Sequence, residues 1–219
     1  MQRPVNVIIP FKHVNAKSRL APVLSLEERQ ELALAMLRDV LDAVSQTGPV
    51  TILSRPGFKE LDLGLNVNVV ESGLELNNAL NALIEDRQAK GWPADLLIVM
   101  ADLALLTKKD LLGIQETPGD VVLSPGRGGG TNMVLIRRSK FRTCYIGISF
   151  PKHLDLCYRL GLTAGIYASY QAGCDIDNPS DIIEVLIHNQ GKTKIFLTDV
   201  GFVALDEDHE CIRVIEDKA

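Results

Sequence analysis

Cysteine is scarce in this chain, and Cys144, Cys157, Cys174 and Cys211 stand apart with no Cys-x-x-Cys pair. That scatter argues against a disulfide framework or a zinc site and is read as reduced, mostly packed thiols. Long hydrophobic runs are missing too. The most apolar stretch, Leu96-Leu-Ile-Val-Met100, is far short of a membrane span, and the N-terminus lacks the charged-then-apolar layout of a signal peptide. The expectation is therefore a cytoplasmic protein that engages no membrane. An excess of positive charge is absent as well: the net charge is −5, which argues against nucleic acid as a partner because affinity for a phosphate backbone needs clustered Lys and Arg. Neither nucleotide fingerprint is present, since no Gly-x-Gly-x-x-Gly follows the first apolar run and no Gly-x-x-x-x-Gly-Lys-Ser/Thr occurs.

What is present begins with the loop after that first run. Residues 5–9 are followed by Pro10-Phe-Lys12-His-Val-Asn-Ala-Lys17-Ser18-Arg19-Leu20, which gathers three cations and a hydroxyl at a strand's end. Open α/β sheets bind ligands at that edge, and Lys and Arg beside free backbone N–H groups suit a polyphosphate. Inside a mildly acidic protein, such a pocket favours a small anionic ligand over a long polyanion. The plain alternative is a solvated turn.

At 219 residues and 46% hydrophobic, the composition is that of one globular domain with a substantial core. Strand-like and helix-like patterns alternate. Strands are expected at 5–9, 50–53, 67–70, 96–100, 120–123, 132–136 and 163–167. Helices are expected at about 26–45 behind the capping box Ser25-Leu-Glu-Glu28, across Leu76 to Ile84, at 108–116, at about 150–160 with Ser149 as N-cap, and from Pro179 to about His188. The alternation predicts a three-layer α/β domain with a mostly parallel sheet over residues 1–190. Residues 191–219 are expected to form a hairpin-like extension of the same domain, with strands at 203–205 and 211–215 around the charged loop 206–210.

Two acidic elements and one glycine-rich element join the basic loop. Asp102 stands just past the 96–100 strand, at the carboxyl edge of the sheet. In Asp175-Ile-Asp177-Asn-Pro179 an extended backbone puts both carboxylates on one face with Ile176 turned away. Two like charges side by side invite a divalent cation, and magnesium suits one or two carboxylates completed by phosphate oxygens and water. Gly126-Arg-Gly128-Gly-Gly130-Thr131-Asn132 lets main-chain N–H groups approach an anion, with the Thr131 hydroxyl at its rim. Ser149, at the start of the 150–160 helix, can close the same pocket.

In order along the chain, these segments resemble the 2-phospho-L-lactate guanylyltransferase family of deazaflavin-coenzyme biosynthesis. The resemblance is carried by Pro10-x-Lys12, Ala16-Lys-Ser-Arg-Leu20, Leu76-Asn77-x-Ala79-Leu80, Asp102-Leu-x-Leu-Leu106, Gly128-Gly-Gly-Thr-Asn132, Ser149-Phe150 and Asp175-x-Asp177-x-Pro179-x-Asp181. Two positions depart from the family pattern: Ala104 stands where proline is common, and Tyr145-Ile146 replaces the usual Phe-Gly.

The resemblance implies a nucleotide-diphospho-sugar-transferase-like, Rossmann-like α/β fold and transfer of GMP from GTP to the phosphate of 2-phospho-L-lactate or a close 2-phospho acid. Pyrophosphate would be released. It implies Lys17, Arg19 and Asp102 as catalytic groups. The nucleotide would lie against Pro10, Lys12, Lys17, Ser18, Arg19 and Asn77, and the acceptor against Thr131, Asn132 and Ser149. Mg²⁺ would be held by Asp102, Asp175 and Asp177. The tail beyond residue 191 is read as covering a sheet edge or joining two subunits of a homodimer. The rival readings are a related nucleotidyltransferase acting on a sugar phosphate or molybdenum cofactor, and a non-catalytic nucleotide-binding regulator.

Overall fold

The computed structural model describes residues 4–58, 67–91, 94–137, 140–205 and 211–214. Strand β1 (Val5–Phe11) is followed by α1 (Leu26–Val44), β2 (Val50–Ser54), β3 (Val67–Glu71), α2 (Leu76–Ala89) and β4 (Asp95–Val99). The second half runs α3 (Lys108–Glu116), β5 (Val121–Pro125), β6 (Thr131–Ile136), α4 (Ser149–Arg159), β7 (Ala164–Ile166) and α5 (Tyr170–Gly173). It ends with α6 (Ile182–His188), α7 (Lys192–Asp199), β8 (Phe202–Ala204) and β9 (Cys211–Arg213).

One seven-stranded sheet has the order β3-β2-β1-β4-β6-β5-β7. Only β6 pairs antiparallel with its neighbours, so the sheet is mostly parallel as expected. Alternate residues of each central strand feed opposite cores. Val7 and Ile9 of β1 with Leu97 and Val99 of β4 join the core under α1, whereas Ile8, Leu96 and Ile98 pack towards α2 and α4. Burial on both faces explains why these strands read as unbroken apolar runs. Among the described residues no helix is long and apolar enough to cross a membrane.

The order of connections places the working edge. From β1 the chain moves outward to β2 and β3, then returns to β4 on the other side of β1, so the winding reverses between β1 and β4. A crevice opens at such a reversal, beyond the carboxyl ends of the strands. The segments leaving β1, β2 and β4 are the ones that meet there.

Three local features differ from the sequence reading. Ser149 is the first residue of α4 and not its N-cap; Ile148 holds the cap position without a side-chain bond, and the Ser149 hydroxyl turns to Thr131. The tail begins with α7, a helix whose hydrophobic pattern is weak because only Thr193 and Leu197 are buried. Gly191-Lys192-Thr193 has the last three residues of a phosphate-loop pattern but no glycine upstream at 186, and it holds no open loop. Its Lys192 and Thr193 N–H groups and the Thr193 hydroxyl donate to Asp39 of α1 at 2.7, 3.0 and 2.6 Å. The third is the length of β9, which ends at Arg213. The loop 206–210 and Ile215 lie outside the described residues. Arg213 fixes the hairpin to the front of α1 by donating to the Val23 carbonyl at 2.8 Å and pairing with Glu28.

Candidate active site

The loop leaving β1 folds back on itself through two non-glycine residues in the left-handed region, Asn15 (φ 52°) and Lys17 (φ 50°). An L-residue is uncommon there and costs on the order of 1 kcal/mol, so the surroundings must hold it. At Lys17 the surroundings are two carboxylates. Its Nζ donates to Asp102 Oδ2 at 2.7 Å and to Asp177 Oδ1 at 2.8 Å, and its side chain is only 11% exposed. Arg19, 68% exposed, reaches Asp177 Oδ2 at 3.2 Å. Burial lowers the Lys17 pKa, but the two aspartates outweigh it and raise the pKa above its usual value, so the ammonium stays charged. Burial likewise pushes Asp177 up, and Lys17 with Arg19 more than reverses this, holding it below the usual carboxylate range.

Asp102 and Asp177 are joined by more than the lysine. The Ile176 N–H donates to the Asp102 carbonyl at 3.3 Å, which ties the segment after α5 to the end of β4. Ile176 is fully buried, and Asp175 and Asp177 on either side of it are partly exposed. Asp175 stands apart from the lysine pair. Its Oδ1 accepts from Asn132 Nδ2 at 3.3 Å. Burial raises its pKa, the Asn132 bond opposes this, and the charges on Asp102 and Asp177 add to the rise. A side chain at Gly126 would place its Cβ 2.5 Å from Asn132 Oδ1 and 3.0 Å from Asp175 Oδ1, so any larger residue there would displace these two side chains.

Arg127 then anchors the glycine loop, donating to Asp181 at 2.8 Å and Glu184 at 3.4 Å.

A cavity of about 520 Å³ opens above the carboxyl ends of β1, β2 and β4. Of the sequence-predicted residues, Pro10, Lys12, Lys17, Ser18, Arg19, Asp102 and Asp177 line it. Asn77 is not among its lining residues; its side chain accepts from the Tyr145 N–H at 2.6 Å. Thr131, Asn132 and Ser149 are buried and are likewise not among its lining residues.

Thr131 and Ser149 belong to a chain that the sequence reading missed. Cys144 N–H donates to His153 Nε2 at 2.8 Å, so the neutral ring carries its proton on Nδ1. Nδ1 lies 2.9 Å from Thr131 Oγ1, which also accepts from Ser149 Oγ at 3.2 Å. With both lone pairs used, Thr131 keeps its own proton to donate. The visible signal was spacing: Ser149 and His153 sit one turn apart on the same face of α4.

His153 has no exposed surface, and burial lowers its pKa from 6.5 to about 4. A depressed histidine stabilises the fold fully above pH 6.5 and loses that contribution as pH falls through about 4, because the unfolded chain takes up the proton first. The expected loss across that window is about 3 kcal/mol. Urea midpoints at pH 7 and pH 4.5 check this. The His153→Gln protein should show a flatter dependence, and equal slopes would contradict the assignment.

The sequence profile described as "Guanylyl transferase CofC like" matches residues 5–215. The chain is 51% identical over 209 residues to the 2-phospho-L-lactate guanylyltransferase of Methanothrix thermoacetophila, covering 95% of each. It is 41% identical over 199 residues to the enzyme of that name from Archaeoglobus fulgidus, covering 90% of this chain and 91% of that one. A crystal structure from Desulfovibrio desulfuricans G20, assigned to the nucleotide-diphospho-sugar transferases, superposes with TM-score 0.70 at 16% identity, over 90% of this chain and 95% of that one. At that identity the likeness establishes the fold, which is the one expected.

Proposed function

The chain belongs to the CofC-like guanylyl transferase family, and we propose that it moves GMP from GTP to the phosphate of 2-phospho-L-lactate or a close 2-phospho acid, in the cytoplasm. The observation that carries this reading is the cation held between two carboxylates, Lys17 between Asp102 and Asp177, on the wall of the cavity where the sheet winding reverses.

In the reaction an acceptor phosphate oxygen attacks the α-phosphorus of GTP. A new P–O–P bond forms, the bond from the α-phosphorus to the β-phosphate oxygen breaks, and pyrophosphate leaves with that electron pair. The nucleophile is already an anion, so catalysis rests on positioning and charge neutralisation rather than on a strong base. Lys17 and Arg19 bind the leaving phosphates, with Lys12 at the cavity edge.

Divalent cations are the cofactor class common to nucleotidyltransferases, and the carboxylates here fit one. Asp102 Oδ1 is buried without a hydrogen-bond partner, and its other oxygen already holds a cation, the Lys17 ammonium. Among the described residues no three acidic, His or Cys groups converge closely enough to make a ready-made ligand set. An all-oxygen site short of protein ligands suits magnesium, which keeps waters and takes phosphate oxygens. Asp102 and Asp177, with Asp175 beside them, would hold it. When bound, Mg²⁺ supplies neutralisation between the two anionic substrates.

The proton that Thr131 keeps is the donor proposed for an acceptor phosphate seated outside the 520 Å³ cavity, against the glycine turn 126–130 that leads into β6. Thr131→Val removes it at one ligand only, so the KM for the phospho acid should rise about tenfold while that for GTP stays near wild type. An equal rise for both would place Thr131 outside the acceptor site. The reading as a whole is tested by assaying pyrophosphate release over a matrix of nucleotides and 2-phospho acids. GTP with phospholactate should lead, and turnover with a sugar phosphate in its place would refute the acceptor class.

A further inference from the structure

The cavity has a second charged pair that phosphate chemistry does not use. Arg55 directly follows β2, Glu75 directly precedes α2, and both line the cavity with Leu53, Leu74, Leu76 and Met100. In the sheet order β2-β1-β4, Arg55 leaves a strand two places from the one that carries Asp102. Neighbouring strands lie about 4.8 Å apart, so the pair is displaced sideways from the carboxylates by roughly 10 Å. That displacement suits a nucleoside whose α-phosphate lies beside the Asp102 and Asp177 carboxylates.

The pair is held in place. Arg55 Nη1 donates to the Gly73 carbonyl at 2.8 Å, and Nη2 donates to Glu75 Oε1 at 2.6 Å. Glu75 occupies the N-cap position of α2 but makes no capping bond. Among the described residues Arg55 is the one partner of its carboxylate, which is 82% exposed at the cavity rim and so keeps lone pairs open to a ligand. Glu75 has two acceptor oxygens, one of them shared with Arg55, and Arg55 keeps N–H groups beyond the two it donates, so the pair has what a row of acceptor, acceptor and donor needs.

We propose that Glu75 and Arg55 read the base of the nucleotide by its Watson–Crick edge. The proposal rests on the guanylyl-transfer reading and deepens it. Guanine offers the complement of that row: the 2-amino group and N1–H donate to the Glu75 carboxylate, and O6 accepts from Arg55. Adenine presents an amino donor and an unprotonated N1, which would face the carboxylate as a second acceptor and leave it unpaired. A site built on hydrogen bonds rejects a mismatched edge strongly because its own polar groups then lose their partners. The apolar side chains Leu53, Leu74, Leu76 and Met100 offer surface for the ring faces.

The test is equilibrium binding of GTP, ITP, XTP and ATP, with magnesium, to the wild-type protein and to Glu75→Gln, with circular dichroism to confirm the fold. Wild type should bind GTP about tenfold more tightly than ITP, which lacks the 2-amino group, and about 100-fold more tightly than ATP. In Glu75→Gln the amide offers one acceptor and one donor, matching the N1–H and O2 of xanthine. GTP binding should weaken about 10- to 100-fold and XTP should overtake it. Arg55→Gln should weaken GTP and ITP by the same factor, since both carry O6. Glu75→Gln with the wild-type order of nucleotides overturns the inference, as does Arg55→Gln with GTP and ITP unchanged. A wild-type protein that binds ATP as well as GTP overturns instead the guanylyl-transfer reading on which the inference stands.

Discussion

Lys17→Met is expected to slow turnover by ~10²-fold or more, the scale seen when one charge-stabilising donor leaves a preorganised site. The ammonium touches both carboxylates at under 3 Å, and the aspartates hold its pKa above the usual lysine value. Its loss removes the positive charge nearest the phosphates. It also leaves Asp102 without its counter-charge and Asp177 with only the exposed Arg19, so this variant should be destabilised by about 1–2 kcal/mol. Arg19 separates the two effects. Its side chain is 68% exposed, so Arg19→Ala should lose comparable activity with little change in unfolding. Steady-state rates and urea midpoints on the same preparations check both variants, and wild-type turnover in either would remove that residue from the catalytic account.

The carboxylates carry the second large effect. Asp102→Asn keeps the shape and the fold but removes charge from an aspartate that has both a buried unpaired oxygen and a bond to Lys17. Turnover should fall ~10³-fold, and Asp177→Asn should fall comparably because it breaks the pairs with Lys17 and Arg19 together. The physical demand is the approach of a triphosphate to a phospho acid, which repel each other at contact distance in a poorly solvated pocket. Activity should therefore vanish with a chelator and return with magnesium. An Asp102→Asn enzyme with wild-type rate and wild-type magnesium requirement would show that this carboxylate takes no part.

Much of the architecture was legible because burial on both faces leaves a plain record. Residues 5–9 and 96–100 could hardly be anything but central strands, and the Ser25-to-Glu28 box marked the start of α1. Strand direction leaves no such record. Nothing local to 131–136 says that β6 runs antiparallel between β4 and β5; that follows from the short glycine turn 126–130, whose return path is too brief for a crossover.

Helix α7 escaped because what holds it is distant: Asp39, 150 residues and more away in sequence, caps it from α1. The site followed the same rule. Lys17, Asp102 and Asp177 could be named from their local settings and from family resemblance. The bridge among them spans separations of 85 and 160 residues and exists only in the fold. His153 was overlooked because a histidine on a buried helix face reads as packing until its two nitrogens are given partners.

The most direct measurement of the central claim follows the α-phosphate of GTP. With α-³²P-labelled GTP, 2-phospho-L-lactate and magnesium, the label should move into an acceptor-dependent product resistant to phosphatase, with pyrophosphate released in equal amount. Label recovered only as GDP or as free GMP, whether or not the phospho acid is present, would show phosphoryl transfer or hydrolysis and contradict guanylyl transfer.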